Sequence, residues 1–185
     1  MPAETGELLV GAYLRIVKEC PIVQYNVYDP RSSSQGEIDV LGLDYATGRL
    51  YVCEVATHLD GLHYVKQVEG KSVDYSVEKI TEKLRHAREF VQPMLPQFPE
   101  PAFMVWSPYV PVGKSTKGLE KLVSEWTGPG TLGLRINDRF ATAVQELADL
   151  ASTTTKQRGE PFFRTLQLLT HLRGPGNRRL GLRLE

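Results

Sequence analysis

Cysteine is nearly absent from this chain. Cys20 and Cys53 are the only two in 185 residues, and their spacing matches neither a disulfide framework nor a metal knuckle. Both read as small hydrophobes of a reducing compartment. No stretch approaches the roughly 20 apolar residues that cross a bilayer, so no membrane association is expected. The opening MPAETGELLV places acids where a secretion signal places lysines, and the expected location is the cytoplasm. A phosphate-cradling loop is also missing. Gly113-Lys114-Ser115 lacks the upstream glycine, and GPGTLG at 128–133 reads as a turn before a strand. Ser32–Ser34 have no histidine and acid at recognisable spacing, which removes a serine hydrolase. No internal repeat is present.

The net charge is zero, but it is unevenly spread. Residues 156–185 carry seven bases (Lys156, Arg158, Arg164, Arg173, Arg178, Arg179 and Arg183) against Glu160 and Glu185. The rest of the chain holds 15 bases and 20 acids, so the C-terminal segment is +5 and the body −5. Such a tail suits nucleic acid or another anion, or is a solvated end.

Hydrophobic spacing predicts a first helix over 6–19, with Thr5 as N-cap and Cys20-Pro21 as its stop. IVQYNVY (22–28) reads as a strand and DPRSSSQ (29–35) as a turn. Strands over 37–43 and 49–58 flank the DYATG connection and form a hairpin. Residues 60–74 read as a Gly-punctuated loop with some helical turn. A long helix over 75–91 shows Val77, Ile80, Leu84, Ala87 and Val91 on one face, and Pro93, Pro96 and Pro99 end it. AFMVWS (102–107) is continuously apolar up to Ser107 and predicts a strand buried on both faces. A short helix over 117–126, a fifth strand over 131–136, and helices over 138–151 and 162–172 complete the reading. The expected organisation is an α/β core over 1–110 and a mainly helical extension over 111–185 ending in the basic tail.

Two acids interrupt segments built for burial. In GEIDVLGLDYATGRLYVCEVATH (36–58), side chains alternate faces along each strand. Glu37 and Asp39 therefore share one face, as do Glu54, Ala56 and His58. Pairing across the hairpin brings Asp39 and Glu54 to the same side, where two carboxylates repel unless a proton or a cation lies between them. An all-oxygen donor set of this kind suits Mg²⁺ or Mn²⁺. The plainer reading is a structural ion pair with Arg49 or Arg31.

A helix with an early Glu, a strand, GEID, a hairpin, an apolar strand closing on Glu54-Val55-Ala56, a helix and a buried strand together resemble the PD-(D/E)XK nuclease superfamily, the restriction-endonuclease-like fold. Residues 6–91 are similar to small bacterial proteins related to archaeal Holliday-junction resolvases, in which a GE-containing helix and a GEID strand precede an E-V-K strand. The resemblance implies a core of helix, three-stranded hairpin meander, helix and strand, with extra C-terminal helices. It implies metal ligation by Asp39 and Glu54, completed by Glu7, with Mg²⁺ or Mn²⁺ as cofactor. It further implies hydrolysis of phosphodiester bonds in DNA or RNA and the homodimer that double-strand-cutting nucleases commonly form. It does not reach the C-terminal third, where the basic segment with Arg173, Arg178 and Arg179 offers the phosphate contacts such an enzyme would use.

One position departs from that pattern. Ala56 stands where the superfamily carries the lysine that positions the attacking water. Three groups are candidates to replace it: His58 on the same strand face, a lysine of the following helix (Lys79 or Lys83, with His86 near their line), or the cation itself. The alternative is a catalytically degenerate member that serves as a nucleic-acid-binding or regulatory module. A protein-interaction domain whose acids are structural is the third reading.

Overall fold

The computed structural model describes residues 2–28 and 36–172; Arg31 and the basic positions Arg173, Arg178 and Arg179 lie outside the described residues. The elements run α1 (Thr5–Ile16), β1 (Ile22–Tyr28), β2 (Glu37–Asp44), β3 (Arg49–Val55), β4 (Val65–Val68), β5 (Lys71–Asp74), α2 (Ser76–Met94), β6 (Ala102–Ser107), α3 (Lys114–Ser124), β7 (Thr131–Ile136), α4 (Asp138–Thr153) and α5 (Pro161–Leu172). None of the described helices is long and apolar enough to cross a membrane.

A mixed five-stranded sheet in the order β1-β2-β3-β6-β7 is the centre of this α/β molecule. The first three strands form an antiparallel meander, and β6 and β7 add in parallel. Parallel neighbours need crossover connections, which α2 and α3 supply. Residues 102–107 form the strand the sequence predicts, and β6 is buried on both faces. Phe103 and Val105 face α2 and α3, whereas Met104 and Trp106 face α1, α4 and α5. Trp106 is fully buried, edge-on to Tyr13 at 5.1 Å and to Phe140 at 6.2 Å between ring centroids.

Strand alternation sorts β2 and β3 the same way. Leu41, Leu43, Leu50, Val52 and Ala56 join the layer under α2, and Val40 and Cys53 join the layer under α1. Gly42 lets α1 come close, since a Cβ there would lie 2.9 Å from Leu14 Cδ1. Helix α1 starts and stops slightly differently from the sequence reading. Glu4, not Thr5, is its N-cap, and Glu4 and Glu7 form a reciprocal capping box.

The chain beyond residue 110 is part of the same layers. Its strand β7 pairs with β6, and α5 packs on α4 and α1. Glu160, buried just ahead of α5, fixes that contact. It pairs with Arg15 of α1 at 3.4 Å and accepts a hydrogen bond from the Tyr25 hydroxyl at 3.4 Å. Glu160→Ala leaves both partners short of an acceptor and is expected to cost about 1–2 kcal/mol, read from the denaturant midpoint. An unchanged midpoint would show that α5 is held by apolar contacts alone.

Residues 60–74 differ from expectation. They contain the antiparallel hairpin β4–β5, with Val65 opposite Asp74 and Val68 opposite Lys71. Its turn residues Glu69 and Gly70 have φ of 50° and 76°, the left-handed pair that a two-residue hairpin turn requires.

Candidate active site

The site lies where β2 and β3 part. Their ladder runs from Asp44↔Arg49 to Val40↔Cys53, and the next pair in register is Asp39 opposite Glu54. There the Val55 N–H donates to Asp39 Oδ2 at 2.7 Å, so a side chain takes over from the backbone ladder. On the other side of β2, Tyr25 pairs with Val40 and Val27 with Ile38. Asn26, at φ 52°, therefore stands opposite Asp39. The strands are thus irregular on both flanks of this aspartate, which frees its carboxylate to face α2.

Both carboxyl groups are buried, Asp39 at 6% and Glu54 at 5% exposure. Lys83 comes down to them from α2. Ile80, Leu84, Ala87 and Val91 anchor that helix on the sheet. Lys83, at the border of this stripe, lays its stem over the strand ends. Its ammonium donates to Glu54 Oε1 and lies 3.6 Å from Asp39 Oδ1. One cation thus bridges the two acids that the sequence brings together.

The electrostatics follow from that geometry. Burial, with the neighbouring Asp39 carboxylate, pushes the Glu54 carboxyl up to about 8 against the opposing pull of Lys83. Asp39 is raised by burial, against Lys83 and the Val55 N–H. Burial disfavours the Lys83 ammonium, yet Glu54 and Asp39 hold its pKa above the ordinary lysine value. With both carboxyl groups ionised the trio carries one excess negative charge, and Glu54 is the group that takes a proton to relieve it.

Two further carboxylates face the same region. Gly6 puts the start of α1 against Thr57, because a Cβ there would meet Thr57 Oγ1 at 2.2 Å. That contact brings Glu7 within electrostatic range of Asp39 and Glu37. Burial raises the Glu7 pKa, but its Oε2 is already engaged, accepting the Glu4 N–H at 2.9 Å. Glu7 is therefore a capping residue here, as the helix dipole favours. Glu37 Oε1 is buried without a hydrogen-bond partner. Among the described residues no three acids, histidines or cysteines are grouped closely enough to hold a metal ion on their own.

The other predicted groups are placed elsewhere. Strand β3 ends at Val55, so His58 lies in the following connection, exposed, and strand alternation does not carry it to Glu54. Its ring stands edge-on to Tyr64 at 6.1 Å. Lys79 pairs with Glu82 at 3.7 Å on the solvent side of α2. His86 packs by Gly36, with its ring nitrogen 2.7 Å from Arg85. Ala56 is buried, and its N–H donates to the Trp106 carbonyl at 2.9 Å.

Tyr64 was not singled out from the sequence. Burial raises its hydroxyl pKa, and Lys83, Glu54 and Asp39 all lie within its electrostatic reach. A lone tyrosine in a polar stretch gives no sequence signal of that proximity. The chain matches no protein-family model, no curated protein and no solved structure in comparisons with each.

Proposed function

We propose that this protein is a divalent-metal-dependent nuclease of the PD-(D/E)XK kind, with the motif lysine relocated from position 56 to Lys83. The observation that carries the reading is the single ammonium of α2 set against both Asp39 and Glu54. The order of helix, antiparallel meander, helix and parallel strand agrees with a restriction-endonuclease-like core.

The donor set fits a hard cation. Asp39 and Glu54 offer only oxygen, and with both ionised their charge exceeds that of Lys83. Mg²⁺ or Mn²⁺ takes such ligands and completes its shell with water. When bound, the ion supplies Lewis-acid polarisation of a phosphodiester. The chain's own groups do the remaining work. The Val55 N–H orients Asp39, burial keeps competing water from Glu54, and Lys83 presents positive charge to a phosphate oxygen. DNA and RNA share this chemistry. The basic C-terminal segment would add salt-dependent phosphate contacts.

The test is a calorimetric Mn²⁺ titration paired with metal-dependent cleavage of labelled oligonucleotides, with Asp39→Asn as comparison. Saturable binding and cleavage that both vanish in the variant are expected. Binding without cleavage would favour the degenerate, nucleic-acid-binding reading, for which the alanine at position 56 is the supporting feature. Absence of both would remove the metal-site reading.

A further inference from the structure

The β4–β5 hairpin has two chemically different faces. Directly opposed residues of an antiparallel pair share a face, and the register opposes Lys66 to Val73 and Val68 to Lys71. One step towards the base, the Tyr75 N–H donates to the Tyr64 carbonyl at 2.9 Å, so these two tyrosines continue the same register. The result is one face made of Tyr64, Tyr75, Lys66, Val73, Val68 and Lys71. It carries two cations, two rings and no acid.

The hairpin's acids are kept off this face. Glu69 is in the turn. Asp74 is on the reverse side, where its carboxylate accepts from Ser76 at 2.6 Å and from Ser115 at 3.3 Å. The aromatic part is built as a stack of edges. Tyr64 and Tyr75 lie 6.3 Å apart between centroids, and Lys66 Nζ sits 5.2 Å from the Tyr75 ring centre. Val68 and Val73 stay exposed at 44% and 38%, so nothing among the described residues covers their part of the face. Tyr64 closes the track at its inner end, where it senses Lys83, Glu54 and Asp39.

We infer that this face is a binding track for unpaired nucleotides, which leads a single-stranded segment of nucleic acid to the Asp39–Glu54–Lys83 site. The inference rests on the nuclease reading and names its substrate class. Rings accept stacked bases whatever their identity, and lysines spaced along the same strand take the phosphates between them. A paired duplex hides its base faces, so it would meet only the lysines.

The experiment is fluorescence anisotropy on the full chain in chelator, with labelled single-stranded DNA, single-stranded RNA and duplex DNA of one sequence. Single strands should bind more tightly than the duplex, and the two single-strand arms show which sugar is preferred. Replacing both lysines (Lys66→Ala with Lys71→Ala) should weaken single-strand binding and lower the salt slope by about 1.4, two phosphate contacts at about 0.7 each. Tyr75→Leu should weaken it about tenfold and leave the slope unchanged, the signature of stacking. Melting curves of the double-lysine variant, whose two positions are exposed, should match wild type. Tyr75→Leu, at a half-buried position, is assayed at a temperature where its own melting curve shows it folded. Duplex preference, no binding of any strand, or a double variant with unaltered affinity and slope would each overturn the track. Mn²⁺ binding and cleavage that depend on Asp39 would still stand in those cases, which separates failure of the track from failure of the nuclease reading.

Discussion

Lys83→Met should be less stable than wild type by about 2–4 kcal/mol in mildly alkaline buffer without metal. Removing one member of a buried ionic group typically costs about 3–5 kcal/mol, and the lower range applies because the Lys83 side chain is 27% exposed. What makes the loss large is the remainder: Asp39 and Glu54 stay buried, adjacent and without a cation. Methionine keeps the stem that covers the strand ends, so the change isolates charge from packing.

The pH dependence of that variant has a definite sign. With Lys83 present, the folded-state Glu54 carboxyl is already up at about 8, above its ordinary value of 4.5. Without the ammonium it shifts further the same way. The folded state then holds a proton that the unfolded chain has released, so stability falls as pH rises from about 4.5 upward through that value. In the wild type, Lys83 works in the opposite part of the range. Its raised pKa gives stability that is fully present below the ordinary lysine value and is lost as pH climbs through the folded-state value. Millimolar Mn²⁺ or Mg²⁺ should restore the variant, by about 2.7 kcal/mol at one hundred times its dissociation constant. A melting series in pH and metal checks all three points. Instability that neither acid nor metal relieves would not come from two carboxylates left without a cation, and the paired-carboxylate account of the site would fall.

Much of this arrangement was legible in the chain for reasons that can be located. Asp39 and Glu54 are readable because strand alternation is rigid: once GEIDVLG and LYVCEV pair through DYATG, the two acids can only project together. Strand β6 is readable because a run of five apolar residues, Ala102–Trp106, leaves no polar face for solvent. Lys83 emerged only as one of several candidates. Lys79 and Lys83 have the same helical spacing, and what separates them is how far each lies along α2 from the end of β3, a tertiary quantity. His58 was misplaced because Val55-Ala56-Thr57-His58 keeps strand-like alternation after its ladder partners have ended. The hairpin was missed for a different reason. Its two strands have four residues each, mix Val with Lys, Gln, Ser and Asp, and are almost wholly exposed, so no hydrophobic period marks them. Its turn is Glu-Gly, and Asn-Gly or Asp-Gly would have been the recognisable signal.

Moving the lysine back should rescue the site. Ala56→Lys alone is expected to destabilise by about 1–3 kcal/mol, because a long side chain enters a buried position and brings a second ammonium beside Lys83. Combined with Lys83→Met, the same change becomes favourable. Positions 54 and 56 share the α2-facing side of the chain at the end of β3, roughly 7 Å apart by strand rise. A lysine stem spans that distance, and its ammonium would replace the one removed. The double variant should therefore be more stable than the sum of the single changes by at least about 2 kcal/mol, a coupling of the size that residues in one charge network show. Cleavage gives the sharper reading. Loss of Lys83 should lower the rate about 10²–10³-fold, as removal of one preorganised transition-state donor does. The double variant should recover most of that loss with Mn²⁺ affinity unchanged. Recovery would establish that the requirement is for one cation between Asp39 and Glu54, supplied from either strand or helix. A double variant that folds and binds Mn²⁺ yet cleaves no faster than Lys83→Met would show that the direction of approach from α2 is itself required, and position 56 would then not be the site from which the lysine moved.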